Sequence, residues 1–153
     1  RGRSRGGFST KVIAVACDED GVVALDVAEG QRNDAPLAKA VLIEARDAVG
    51  VVRDVLGDKG FDSDAVRDVV LDDLDALPVI PNRKNRKEPW PWDDEMREAY
   101  KQRNRVERAF AKAKQFRRFA TRYEKLKDVY LGVAQVVFGF IHVRKLAQSV
   151  NTP

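Results

Sequence analysis

A chain of 153 residues, 44% hydrophobic and 34% charged, has the length and composition of one globular domain with a buried core. Its single cysteine, Cys17, excludes an internal disulfide framework and suits a reducing compartment, and the longest apolar stretch, residues 129–143, is broken by Gln135 and His142 and is too short to predict a membrane span. The net charge of +4 is segregated: residues 17–81 hold 16 acidic against 6 basic side chains, whereas residues 82–127 hold 16 basic against 7 acidic. An acidic half joined to a basic half points to a polyanion facing the second half, most simply nucleic acid; a merely solvated charged surface is the competing reading.

The leading basic residues run straight into an amphipathic strand rather than an apolar leader, and the start at Arg1 predicts a longer reading frame. Residues 10–17 (TKVIAVAC) and 22–28 (VVALDVA) read as two strands of a hairpin around the turn Asp18-Glu19-Asp20-Gly21. Residues 35–49 have helical periodicity, with Asp34 placed as N-cap and Pro36 in the first turn. Residues 51–56 read as a strand ending at Gly57-Asp58-Lys59-Gly60. Residues 62–74 read as a helix with an acidic first turn, in which Asp72, Asp73 and Asp75 form a solvated end. A short strand over 76–80 leads into a basic, proline-broken loop, 82–93 (NRKNRKEPWPWD), where Trp90 and Trp92 read as anchors onto the core. A long helix over 94–118 and a more apolar one over 129–150 complete the chain, with Leu131, Val136, Val137, Phe140 and Ile141 read as packing against the sheet. This order is an α/β arrangement opened by an antiparallel hairpin.

Two places carry chemistry. Asp58 follows an apolar strand, where ligand sites of open α/β sheets lie, and is flanked by Gly57 and Gly60; the competing reading is an Asx-turn. The second place is the segment YKQRNRVERAFAKAK, residues 100–114. At about 100° per residue, Tyr100, Arg103, Glu107 and Lys114 share one strip about 60° wide, beside an apolar strip that includes Val106, Ala109, Phe110 and Ala113. Glu107 is therefore expected to border the buried face. Cations beside it can hold phosphates, and an ordinary intrahelical Arg103–Glu107 pair is the alternative.

The spacing Tyr100-x2-Arg103-x3-Glu107-x6-Lys114 resembles the signature of bacterial insertion-sequence transposases of the DDE type. With 3 Tyr, 17 Arg, 8 Glu and 11 Lys in the chain, chance supplies roughly 0.001 such matches. Further segments are similar in order and character: residues 4–21 to the family's early hairpin, 57–70 to its second-aspartate block, 79–87 to its basic strand-to-loop segment and 115–126 to the stretch after its catalytic helix.

The resemblance implies an RNase H-like mixed sheet flanked by helices. It also implies two divalent ions, Mg²⁺ or Mn²⁺, held by three carboxylates, with Asp58 the second and Glu107 the third. Tyr100, Arg103, Lys114, Arg83, Lys84, Arg86, Lys87, Arg117, Arg118 and Arg122 would contact phosphates of double-stranded DNA, both terminal inverted repeats and target. The implied activity is cleavage and strand transfer at the ends of an insertion sequence, by a homo-oligomer assembled on DNA in the bacterial cytoplasm, without a membrane. Such a sheet opens with three strands and this chain shows two. Asp18 lies in a turn and Asp26 in the second visible strand, so neither replaces the first aspartate. The first strand and its aspartate are thus expected upstream of Arg1, residues 1–153 being an N-terminally incomplete catalytic domain. The rival readings are a DNA-binding remnant without catalysis and a helical interaction protein.

Overall fold

Alternation of apolar and polar residues produces the hairpin that the sequence predicts. In the computed structural model, which describes residues 3–4, 7–8, 10–17, 21–30, 32, 34–122 and 126–150, strand β3 (Thr10–Ala16) pairs antiparallel with β4 (Val22–Glu29), in register from Thr10 opposite Glu29 to Val15 opposite Ala24, with a shift before Ala16 opposite Val22. Two shorter strands, β1 (Arg3–Ser4) and β2 (Gly7–Phe8), pair antiparallel before it. The turn around Asp18 and the capping side chain of Asp34 lie outside the described residues. Helix α1 (Asp34–Val49) is followed by β5 (Asp54–Leu56), α2 (Asp64–Asp68), β6 (Leu77–Val79), α3 (Asp94–Tyr100), α4 (Asn104–Ala113), α5 (Arg117–Ala120) and α6 (Lys127–Val150). Among the described residues the strands form three two-stranded ladders, of which β5–β6 is parallel, rather than the one mixed sheet that the resemblance implies. The mixed α/β character holds.

The chain divides into two compact units, Arg1–Arg32 with Arg105–Pro153, and Asn33–Asn104. In the first, one face of α6 packs on the hairpin. Tyr130, Ala134, Val137, Phe138 and Ile141 are buried with Val27 of β4, Ala109 and Ala113 of α4, and Phe119 of α5. Phe119 stacks on Tyr130 at 5.9 Å and meets Phe138 edge-on at 5.6 Å, while Lys127 pairs with Asp26 at 3.1 Å and fixes the start of α6 to β4.

Two expectations for this helix are corrected. Val136 and Phe140 are exposed rather than packed on the sheet. The helix also runs 24 residues, with mean hydropathy 1.3 over its most apolar window, and is long and apolar enough to cross a membrane. Length therefore does not argue against a span, as it did for residues 129–143. One face of α6 is buried in its unit, and 28% of that window is buried.

In the second unit, Leu37, Ala38, Val41, Leu42 and Ala45 of α1 are buried, as are Val66, Val69, Val70, Leu74, Val79 and Ile80. The helix expected over 62–74 starts later, because the Ser63 side chain caps it by accepting from the Val66 N–H at 3.3 Å. Its end widens into a π-turn over Val69–Asp73. Asp75 closes that turn in the left-handed region (φ 50°), and the Ala76 N–H reaches the Val70 carbonyl at 3.0 Å, a helix end usually made with glycine. Of the strand expected over 51–56 only the last three residues pair, and Val51 is 96% exposed.

The helix expected over 94–118 is interrupted. Lys101–Arg103 form a 3₁₀ turn, which eclipses side chains three apart, and Arg103 lies 5.3 Å above the Tyr100 ring. At the far end the Phe116 N–H donates to the Ala113 carbonyl at 3.0 Å, and an extended Phe116 ends the run before α5.

Candidate functional site

Asp58 sits at the carboxyl end of β5, two residues past the parallel ladder. Its backbone is extended and its Oδ1 accepts from the Gly60 N–H at 2.7 Å, capping the 3₁₀ turn Lys59–Phe61. The Asx-turn and the exposed carboxylate are thus one arrangement: the cap fixes the side chain and the residue stays at the surface. Gly57 permits it. A Cβ there would lie 3.3 Å from Ile80 Cγ1, and the Gly57 N–H donates to the Val79 carbonyl at 3.3 Å, so the strand end is drawn close against β6.

Behind this turn lies a charged cluster that sequence reasoning missed. Asp62 and Arg67 are 4% and 1% exposed. Arg67 donates to Asp62 Oδ1 through Nε at 3.1 Å and Nη2 at 2.9 Å, and to the Ile80 carbonyl. Asp62 Oδ2 accepts from the Arg83 N–H at 2.7 Å, and Oδ1 accepts from Arg86 Nη1 at 2.8 Å. Burial alone pushes the Asp62 carboxyl up. The hydrogen bonds from Arg83 and Arg67, with the charges of Arg67 and Arg86, outweigh it and hold the group below the ordinary carboxylate value.

These contacts order the basic loop. Arg86 also pairs with Asp64 and donates to the Glu88 carbonyl, while Arg83 Nε donates to the Lys59 carbonyl at 2.8 Å. Asn82 and Trp90 exchange hydrogen bonds of 2.8 and 3.0 Å across the loop, and Arg67 lies 5.1 Å from the Trp90 ring centre. Trp92 meets Tyr100 edge-on at 5.5 Å. The tryptophans anchor the loop, as expected. The four loop cations divide: the guanidiniums of Arg83 and Arg86 bind groups of their own unit, whereas Lys84 and Lys87 are exposed.

The signature residues also divide. Tyr100 and Arg103 stack on each other in the unit Asn33–Asn104, whereas Glu107 and Lys114 belong to the other, Glu107 on α4 and Lys114 in the turn directly after it, its N–H still donating to the Phe110 carbonyl at 2.9 Å. The 3₁₀ turn breaks the single strip drawn from the sequence, and Glu107 is exposed rather than at the edge of the buried face. Lys114 and Arg122 meet at a cleft of about 440 Å³ that also holds Lys11, floored by Phe110, Phe119 and Tyr130. Burial raises the Tyr130 pKa, with Arg122 opposing through charge and a hydrogen bond; the Tyr130 hydroxyl donates to the Phe119 carbonyl at 3.1 Å. Arg117 and Arg118 are exposed on α5.

Asp26 is engaged by Lys127 and by the Val27 N–H at 2.7 Å. Asp58 and Glu107 thus fall one in each unit. No group of three His, Cys, Asp or Glu side chains suited to a metal ion occurs among the described residues.

A family profile described as "Transposase DDE domain" matches residues 1–137. Comparison with curated proteins gives no match, and neither does comparison with solved structures.

Proposed function

Because the chain belongs to the family of the transposase DDE domain, we propose that it cleaves DNA at the ends of a bacterial insertion sequence and joins those ends to a target, within an RNase H-like arrangement of which residues 1–153 are a part. The observation that carries this reading is the pairing of two features. A capped, exposed Asp58 stands at the carboxyl end of a parallel-paired strand, and Glu107 stands seven residues before Lys114 on a helix whose polar face is basic.

The donor chemistry suits a hard divalent cation, since carboxylate oxygens are what Mg²⁺ and Mn²⁺ take. Asp58 and Glu107 would hold such ions. Asp62 is the wrong donor, because both of its oxygens already accept from Arg67, Arg83 and Arg86. Such ions, when held by these carboxylates, would supply Lewis-acid stabilisation of the attacking and leaving oxygens of an in-line displacement at phosphorus.

The chain's own residues do the rest. Lys84 and Lys87 on the ordered loop, Lys114 and Arg122 at the cleft, and Arg117 and Arg118 on α5 neutralise DNA phosphates. Arg103, held on the Tyr100 ring, presents a planar donor fork suited to one phosphate. Arg83 and Arg86 act indirectly, by holding the loop that carries the lysines.

The test is Mg²⁺-dependent cleavage of terminal-repeat DNA, with a binding isotherm for each variant, in the whole transposase. Asp58→Asn and Glu107→Gln keep side-chain shape and remove the charge that offsets the cations. Cleavage and strand transfer fall at least 100-fold, while DNA affinity is equal or slightly higher. Arg103→Ala weakens binding instead. Asp73→Asn, at a surface ion pair with Lys39, changes little. Wild-type cleavage by Glu107→Gln overturns the enzymatic reading and leaves the DNA-binding one, which salt-dependent affinity then supports.

A further inference from the structure

Within the unit Arg1–Arg32 with Arg105–Pro153, the cleft of about 440 Å³ gathers cations from three places in the chain. Lys11 comes from β3, Lys114 from the turn after α4 and Arg122 from the end of α5. Lys11 Nζ also reaches the Arg32 carbonyl at 3.4 Å. Among the described residues that line the cleft there is no acidic side chain, so its natural occupant is an anion. The volume lies in the lower part of the roughly 300–1,000 Å³ range of small-ligand sites, so the cleft admits one nucleotide of a strand rather than a length of backbone.

Arg122 is held there against the preference of its backbone. It follows the last turn of α5 at φ 48°, in the left-handed region, at the place after a helix where glycine is usual. A strained residue that keeps a long cationic side chain at the rim of a cleft points to a use for that side chain.

One buried phenol fixes both ends of this arrangement. Tyr130 is 2% exposed and stacks on Phe119 at 5.9 Å. The Phe119 carbonyl accepts from the Arg122 N–H at 3.3 Å and from the Tyr130 hydroxyl at 3.1 Å, one bond for each lone pair. That bond uses the only proton of the hydroxyl. Its oxygen is left to accept, and Arg122 is the donor. The same hydroxyl therefore braces the backbone that ends α5 and the guanidinium that leaves it.

We propose, resting on the reading of DNA as substrate, that Tyr130 is a positioning residue: it aims Arg122 at one backbone phosphate, which Lys11 and Lys114 also hold. Cations spread along a duplex neutralise a phosphate each, whereas the three of this cleft share one.

The two arrangements differ in salt dependence. Anisotropy of a labelled duplex of about 30 base pairs, titrated with the whole chain between about 50 and 200 mM salt, gives the slope of log K against log salt. Joint replacement of Lys11, Lys114 and Arg122 by alanine lowers that slope by about 0.9, the value for one phosphate, rather than by about 2.7. Tyr130→Phe keeps the ring and weakens binding about 5-fold, but has no effect on binding in an Arg122→Ala background, which a loss of packing alone does not produce. Arg122→Gly binds as weakly as Arg122→Ala yet melts about 3 °C higher, because glycine takes the left-handed conformation freely.

A slope lowered by about 2.7, or not lowered at all, by the triple replacement overturns the shared phosphate. Equal effects of Tyr130→Phe with and without the Arg122 side chain overturn the positioning role. Either result leaves DNA binding standing, whereas an unaltered chain whose affinity ignores salt removes the DNA reading and this one with it. Retention of inorganic pyrophosphate, lost on the triple replacement while the DNA slope stays unchanged, assigns the cleft to a free anion and overturns the proposal.

Discussion

Asn at position 62 is the most informative single change in the unit Asn33–Asn104. The carboxamide keeps the shape of the side chain and removes the negative charge that Arg67 and Arg86 share, whose side chains are 2% and 11% exposed. Breaking a buried pair by removing one partner costs roughly 3–5 kcal/mol, because the Arg67 guanidinium is then left with neither water nor a counter-ion, whereas Arg86 keeps Asp64. That is a large share of a typical domain's 5–15 kcal/mol, at about 2 kcal/mol per molar urea a midpoint shift of about 2 M. Arg67→Met is the milder change. Asp62 then keeps the Arg83 amide and Arg86, and the loss is about 1–3 kcal/mol, chiefly the unpaired Ile80 carbonyl.

Urea titration followed by tryptophan fluorescence reads this unit alone, since both tryptophans, Trp90 and Trp92, lie in it. The pH dependence has a definite sign. The folded-state pKa of Asp62 lies below its unfolded value, so its contribution is complete above about pH 3.8 and is lost as pH falls through the folded value. A loss from Asp62→Asn no larger than that from Arg67→Met refutes the claim that this carboxylate holds the cluster together.

DNA affinity should fall with salt at a slope of about −0.9 per phosphate contact; Lys84→Ala with Lys87→Ala reduces the slope by about 2 and leaves the urea midpoint in place. Arg86→Ala does the reverse, lowering the midpoint through Asp62 with little direct change in slope, as fluorescence and filter binding on the same samples decide. Tyr130→Phe removes the hydroxyl that donates to the Phe119 carbonyl and costs about 1 kcal/mol, measured by circular dichroism of α6.

What the sequence made legible was whatever depends on near neighbours along the chain. Alternation marked β3 and β4 to within a residue, periodicity marked α1 and α6, and glycines beside Asp58 marked a turn whose acid caps it. What escaped depends on partners far along the chain or on geometry finer than a helical turn. Asp62 read as an ordinary acid of a helix's first turn because its partners stand 5, 21 and 24 residues away. Nothing local announces that Arg67 carries a buried guanidinium. The 3₁₀ turn at Lys101–Arg103 contains no proline or glycine and is signalled only by an aromatic three residues before an arginine. On α6, hydropathy records how apolar the helix is but not which apolar residues face the core, so Val136 and Phe140 read as packing alongside Val137 and Ile141, although they are 72% and 54% exposed. The same limit separates the two readings of the basic segment. Charge counts weigh Arg83 and Arg86 equally with Lys84 and Lys87, whereas the Arg86 guanidinium is held by Asp62 and Asp64 and that of the exposed Arg83 by the Lys59 and Gly60 carbonyls, while the lysines stay exposed. On the proposed reading, a surface whose cations are sorted in this way would meet DNA phosphates through fewer side chains than its net charge suggests.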